Sequence, residues 1–281
     1  MKEPTFSIVL PCYSEPQSLN HHWRGYTVQR AIKSIINQQY PLWELIVVDD
    51  GCADNFTPRI LDLFAVRDPR IKVIHKINEN RAIARNTGMD AATGEWICWL
   101  DSDDEYASHY LRELAEAMGD FPEYKIFNFG STGYFSDHKS DVRPTFKPEV
   151  EGAGHLWFHS GFIGTGSFIF RRDLWKSKPE YRIPDEVNPY QFAASSKFPM
   201  HFEADRPDIE NPAGAFQDGV YRHGLSLGNP WGDDLLQFYL LTRDNHSRPL
   251  DIQLYIQYVR AHEDRYKYFG QDYNLEIADV W

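Results

Sequence analysis

The sequence predicts an α/β fold built on a mostly parallel sheet with helices on both faces, followed by a loop-rich second half. Three observations carry that expectation. Through roughly the first 130 residues, short runs of β-branched and aromatic residues alternate with longer segments of helical spacing. Each short run is apolar almost throughout, as strands covered on both faces must be. From about residue 130 to Gly232, aromatics, glycines and prolines mix with no period.

In chain order, Phe6 to Leu10 (FSIVL) reads as the first strand. Val28 to Gln39 (VQRAIKSIINQQ) has apolar residues at 28, 31, 32, 35 and 36 and neither Gly nor Pro, the stripe of an amphipathic helix. Glu44 to Val48 (ELIVV), Ile71 to His75 (IKVIH) and Trp96 to Leu100 (WICWL) are the next strands, separated by helical segments at Asn55 to Val66 and Arg81 to Ala92. Tyr106 to Met118 adds a helix and Lys125 to Phe129 a strand, which together describe a Rossmann-like sheet. Beyond it, Ser167 to Phe170 (SFIF) reads as a strand, Asp173 to Lys176 as the start of a short helix, Asp233 to Thr242 as a helix and Ile252 to Val259 (IQLYIQYV) as a strand. There is no internal repeat. Residues 1–281 are expected to form a single domain, with one half at 1–130 and the other at 131–281.

Composition narrows the class. With 281 residues, 42% of them hydrophobic and 25% charged, the chain can bury a full core and is neither collagen-like nor disordered. A net charge of −12 argues against nucleic acid as a partner. Cys12, Cys52 and Cys98 are odd in number and lie in or beside apolar runs, which suits reduced thiols better than a disulfide framework. The opening MKEPTFSIVLPCYSE is too short in apolar residues for a signal peptide, and no stretch approaches the ~20 apolar residues of a membrane span. The expectation is a cytoplasmic protein with no transmembrane segment.

In an open parallel sheet, ligands bind beyond the carboxyl ends of the strands. Those ends read Pro11-Cys12-Tyr13-Ser14-Glu15, Asp49-Asp50-Gly51 and Asp101-Ser102-Asp103-Asp104-Glu105. Four carboxylates thus fall within residues 101 to 105. On an extended chain Asp101 and Asp103 share a face, where they repel unless a cation joins them. Mg²⁺ or Mn²⁺ takes such oxygen ligands, and Mg²⁺ typically uses one or two carboxylates plus phosphate oxygens. The plainer alternative is a solvated acidic turn leading into a helix.

The strings SIVLPCYSE, AIKSIINQQYPLWELIVVDDGCADN and NENRAIARNTGMDAATGEWICWLDSDDEY, in this order over residues 5 to about 130, resemble the nucleotide-sugar-binding half of family 2 glycosyltransferases. The resemblance implies a GT-A fold and a nucleotide-sugar donor, with a UDP-sugar favoured. It implies that Pro11, Tyr13 and Glu15 line the nucleoside pocket, that Asp50 recognises the base and that Arg85 lies over the nucleotide. It further implies that Asp101 contacts the ribose or the metal and that Asp103 coordinates a donor-bound Mn²⁺ or Mg²⁺. Two departures stand out: Ser14 replaces a common Asn, and Gln17 to Tyr26 is longer than usual. Physically, Tyr13 can stack on a base, Asp50 can accept a ring N–H and Arg85 offers a rigid fork of donors. Core filling, turn formation and a solvated helix position are the respective alternatives.

In the second half, Gly232-Asp233-Asp234-Leu235 opens the expected helix where the family carries a Glu-Asp pair. By that alignment Asp234 is the catalytic base of an inverting transfer and Asp233 replaces the Glu, with Asp218 a weaker candidate. His262, in YVRAHEDR, loosely resembles a family Tyr-x-x-His element that helps hold the metal. Gly166 and Trp231 are candidate acceptor-side residues, and the aromatics of 184–229 either form a platform for a glycan or lipid-linked glycan or pack a long loop. Two rivals remain. A nucleotidyltransferase would want a Gly-rich, basic phosphate loop after the first strand, which PCYSEPQ lacks, and a non-catalytic glycan-binding module would bind the nucleotide without releasing sugar. No GxGxxG follows a strand, which disfavours a dehydrogenase.

Overall fold

The computed structural model describes residues 3–14, 23–79, 81–135, 140–143, 166–177, 241, 245 and 247–259. Within them lie strands β1 (Phe6–Cys12), β2 (Trp43–Asp49), β3 (Ile71–His75), β4 (Trp96–Trp99), β5 (Glu105–Tyr106), β6 (Ile126–Phe135), β7 (Ser140–Arg143), β8 (Phe168–Arg171) and β9 (Ser247–Val259). The helices are α1 (Trp23–Ile36), α2 (Thr57–Arg67), α3 (Arg81–Ala91), α4 (Tyr110–Asp120) and α5 (Arg172–Ser177).

All nine strands join one sheet in the order β3-β2-β1-β4-β8-β6-β9-β5, with β7 beside β6. The first four are parallel. Beyond β4 the sheet is mixed: β8 runs antiparallel to β4 and β6, β9 lies parallel to β6, and β5 is antiparallel to β9. Strand order reverses at β1, with β2 on one side and β4 on the other, so a crevice opens at their carboxyl ends.

The apolar runs bury residues alternately on two faces. Phe6, Ile8, Leu10, Leu45, Val47 and Cys98 pack on the side that receives Val28, Ile32 and Ile35 of α1, Ile60 and Phe64 of α2, and Leu111 and Leu114 of α4. Val9, Ile46, Val48, Ile97 and Trp99 pack on the other, with Ala84 and Met89 of α3 and Leu174 and Trp175 of α5. Helices therefore cover both faces, as the unbroken hydrophobic strands require. Pro11 fits the central strand β1 because of where its partner stops. The carbonyl of Val9 accepts from Leu100 on the β4 side and that of Cys12 from Asp50 on the β2 side. Alternation aims position 11 toward β4, whose pairing with β1 ends at Val9 and Trp99, so no ladder donor is lost.

Several boundaries differ from the sequence expectation. Helix α1 begins at Trp23 rather than Val28 and ends at Ile36; its early turns carry arginines and Gly25, which hide the periodicity. Tyr106 pairs in the short strand β5 instead of starting a helix, because its neighbour is Tyr255 of β9. Strand β7 was not expected, and β9 starts five residues early. Of the expected helix at 233–242, only residue 241 lies within the described residues. Cys12, Cys52 and Cys98 are free thiols, the first two 3.8 Å apart at Sγ. No described helix is long and apolar enough to cross a membrane.

Candidate functional site

The carboxyl ends of β1, β2 and β4 bring together Pro11, Tyr13, Asp50, Asp101 and Asp103. Pro11 is buried in β1 and Tyr13 stands half-buried just past its end. Ser14 accepts hydrogen bonds at its carbonyl from Ala53 (3.1 Å) and at its hydroxyl from the Asp54 amide (3.4 Å), which ties this turn to the one after β2. Glu15 lies outside the described residues.

Asp50 is buried and closely bound. Lys76 Nζ donates to Oδ1 at 2.9 Å, the Glu79 amide donates to the same oxygen at 3.1 Å, and Asn78 Nδ2 donates to Oδ2 at 3.1 Å and to the Asp50 carbonyl at 3.0 Å. Lys76 also pairs with Glu79 at 2.6 Å. The loop between β3 and α3 thus grips the carboxylate, and Gly51 makes the fit possible. Its φ is +76°, and a Cβ there would stand 2.8 Å from the Asn78 nitrogen, so any other residue is both strained and crowded. Asp49 supports the same edge. It accepts from the Cys52 amide (2.8 Å) and meets His75 Nδ1 (2.7 Å), while His75 Nε2 meets Asp62 (3.0 Å). The Asp49 hydrogen bond, aided by Asp62, holds the His75 imidazole above its ordinary pKa.

The turn after β4 is a cluster of paired acids. The Asp104 amide closes it onto the Asp101 carbonyl at 3.1 Å. Arg85, only 1% exposed, donates from Nη2 to Asp101 at 2.8 Å and lies over the Trp99 ring, 4.5 Å from its centroid. Helix α1 reaches across with two more arginines. Arg24 Nη1 donates to Ser102 Oγ at 2.8 Å and stands 3.4 Å from the Asp103 carboxylate. Arg30 Nη2 donates to the Asp103 carbonyl at 2.6 Å, and its Nε pairs with Glu105 at 2.9 Å. Guanidinium groups therefore meet the acids at 101, 103 and 105.

Asp104 is met by a phenol. The Tyr255 hydroxyl donates to Asp104 Oδ2 at 2.8 Å and accepts from the Asp101 amide at 3.2 Å. Burial, with the charge of Asp104 nearby, pushes the Tyr255 pKa well above its usual value, so it stays a donor. Tyr255 is held by β5, where it pairs with Tyr106, and Tyr106 in turn stacks on Tyr110 at 3.6 Å between centroids. Gly166 belongs to this cluster. Its φ is +74°, and a Cβ would fall inside the Tyr255 ring. The backbone at Gly166 thus approaches both Tyr255 and the Trp99 carbonyl closely. Asp233, Asp234, Trp231, Asp218 and His262 lie outside the described residues.

Arg24, Arg30, Tyr255 and Lys76 were not singled out from the sequence. One signal was available for Tyr255: a tyrosine in an apolar strand must find a partner for its hydroxyl. The arginines of α1 carried none, because an exposed helix face is also rich in arginine. Among the described residues, no group of three or more His, Cys, Asp or Glu side chains could by itself hold a metal ion.

A mixed α/β sheet with an acidic edge at its strand-order reversal defines a class of domain that takes its ligand beyond the carboxyl ends of the strands. The chain belongs to glycosyl transferase family 2, whose family model matches residues 7–177. EpsH of Bacillus subtilis, named as a glycosyltransferase, is 34% identical over 126 residues, 43% of this chain and 36% of that protein. TuaG of the same organism, named for teichuronic acid biosynthesis, is 32% identical over 133 residues, 47% of each. The chain thus spans less than half the length of these relatives. Among solved structures, S. aureus TarS residues 1–349 superposes with a TM-score of 0.60 at 19% identity, covering 98% of this chain and 68% of that one. TarS has also been crystallised with UDP-GlcNAc, a structure that matches equally, with a TM-score of 0.60 at 18% identity over 93% of this chain and 60% of that one. The fold is the GT-A type that the sequence resemblance implies.

Proposed function

We propose that the chain is a metal-dependent, inverting glycosyltransferase that moves a sugar from a nucleotide-diphosphate donor, a UDP-sugar by preference, to a hydroxyl of a glycan or lipid-linked glycan. The observation that carries this reading is the single sheet edge on which Tyr13, Asp50, the Arg85–Asp101 pair and Asp103 converge. The UDP complex of a protein of the same fold and the teichuronic acid biosynthesis in the name of TuaG are in keeping with it. A lipid-linked acceptor would bring the chain to the inner face of a membrane.

The residues fit a hard divalent cation. Asp103 is a carboxylate with 30% of its side chain exposed, beside a second carboxylate at Asp101, and such a cation completes its shell with phosphate oxygens and water. Asp103 and Asp101 would hold it, with His262 as the further expected ligand. When bound, the cation offsets charge on the departing diphosphate. The chain's own groups do the rest. Tyr13 stacks on the base, Asp50 accepts its N–H, and Arg85 fixes Asp101. Asp234, with Asp233 beside it, removes the acceptor proton as the hydroxyl oxygen attacks the anomeric carbon from the face opposite the diphosphate.

Incubation with Mn²⁺ and a panel of nucleotide sugars tests the reading by nucleotide release, expected with a UDP-sugar. Binding of nucleotide without release would indicate a non-catalytic module, and pyrophosphate formed from an NTP would indicate a nucleotidyltransferase. Asp234→Asn should abolish transfer while calorimetry finds donor affinity kept; loss of both removes Asp234 as the base.

A further inference from the structure

We propose that Arg24 is a resident counter-cation of Asp103, which a divalent metal must displace and which then passes to the donor diphosphate. The inference rests on the reading of Asp103 as the metal-holding carboxylate. It begins with how α1 is fixed. Arg30 is bonded both to the Asp103 carbonyl and to the Glu105 carboxylate, which fastens the helix to the acid turn by two contacts. Arg24, near the start of the same helix, reaches Ser102 Oγ and Asp103 Oδ2.

The three arginines differ in what they can give up. Arg85 is 1% exposed, stacked on Trp99 and paired with Asp101, so its place is set. Arg30 holds main chain. Arg24 sits on Asp103, whose side chain is 30% exposed against 12% for Asp101 and 23% for Glu105, the acid most open to an incoming ion. A metal ion and a guanidinium repel each other, so a metal ion on that carboxylate loosens the hold of Arg24 on it. The hydroxyl of Ser102 is neutral and leaves Arg24 a foothold when the carboxylate is taken. From there its planar fork matches the anion that a metal recruits, since arginine binds phosphate oxygens in pairs.

Two consequences follow from linkage. Metal alone binds weakly, because it must displace Arg24. Metal with nucleotide binds well, because the displaced guanidinium gains a phosphate partner, and the coupling is reciprocal. Arg24 is a binding and positioning residue in this scheme, and its effect is read in binding as well as in turnover.

The test is Mn²⁺ titration followed by the electron paramagnetic resonance signal of free Mn²⁺, with and without UDP, on the wild type, Arg24→Gln, Arg24→Lys and Asp103→Asn. Circular dichroism checks that each variant is folded. Arg24→Gln should bind Mn²⁺ alone about fivefold more tightly and, at saturating Mn²⁺, bind UDP about fivefold more weakly, the scale of a partly exposed ion pair. Arg24→Lys, which keeps the charge without the fork, should bind Mn²⁺ alone like the wild type and UDP less well. If Asp103→Asn loses Mn²⁺ while both Arg24 variants match the wild type in each titration, the role of Arg24 is overturned and the metal reading stands. If Asp103→Asn binds Mn²⁺ as the wild type does, the metal reading falls and the inference with it.

Discussion

The sheet edge holds its acids in two contrasting ways. Asp50 is gripped from close by, since Lys76, Asn78 and the Glu79 amide lie 26 to 29 residues further along, in the loop that closes the same βαβ unit. The turn at 101–105 is gripped from several distances at once. Its partners come from α3, where Arg85 stands 16 residues before Asp101, from α1, 73 to 78 residues before, and from β9, more than 150 residues after. A carboxylate of the first kind is set when one unit folds, whereas the second kind is set only when the whole sheet closes. The difference teaches that adjacent acids in one site can depend on very different amounts of the chain.

That contrast can be broken by mutation. The largest effect is expected at the acid turn, where Arg85→Ala leaves the Asp101 carboxylate without its buried guanidinium and should cost about 3–5 kcal/mol in urea unfolding. Tyr255→Phe removes one hydroxyl that serves both Asp104 and the Asp101 amide, and a loss of about 1.5–3 kcal/mol is expected. Hydrogen exchange should then quicken at 99–106 and leave 49–54 unchanged. Lys76→Met is the matching change at the other acid. Asn78 and the Glu79 amide still hold Asp50, so the loss should be smaller, about 1–2 kcal/mol, with exchange rising at 49–54 and 76–79 alone. If Lys76→Met loosens the acid turn as well, the two regions are one unit.

The smallest effect is a pH dependence that separates the two regions. His75 is held above its ordinary pKa of 6.5 by Asp49. Its contribution is present in full below pH 6.5 and is lost as pH rises through the raised value. The acid turn has no such dependence near neutrality, because its partners are arginines and a tyrosine whose pKa is raised. Exchange at 49–54 and 71–75 should therefore quicken between pH 6 and pH 8.5, while 99–106 changes only by the intrinsic rate. A His75→Gln variant should remove the difference.

Much of the fold was legible because it obeys one-dimensional rules. Strands covered on both faces are apolar throughout, so β1 to β4 announce themselves, and their polar ends locate the edge where Asp50, Asp101 and Asp103 converge. What escaped depends on pairing across the sheet. Two residues, Glu105 and Tyr106, become a strand only because β9 lies beside them. Pro249 disguised the start of β9, a strand that tolerates it while pairing with Asn128. The reach of Arg24 and Arg30 to the acid turn escaped too, since arginines more than 70 residues away leave no trace in the spacing around it.

The reach of Tyr255 also sets an order of events in biosynthesis. The hydroxyl that organises Asp101 and Asp104 arrives more than 150 residues after them. At about 5–20 residues per second, roughly 8–30 s of translation separate the turn from its clasp. During that interval the Asp50 clamp can already close, whereas the acid turn waits for β9. A nascent chain therefore acquires its two carboxylate sites one after the other, and the arrival of Tyr255 in β9 is the step that completes the second.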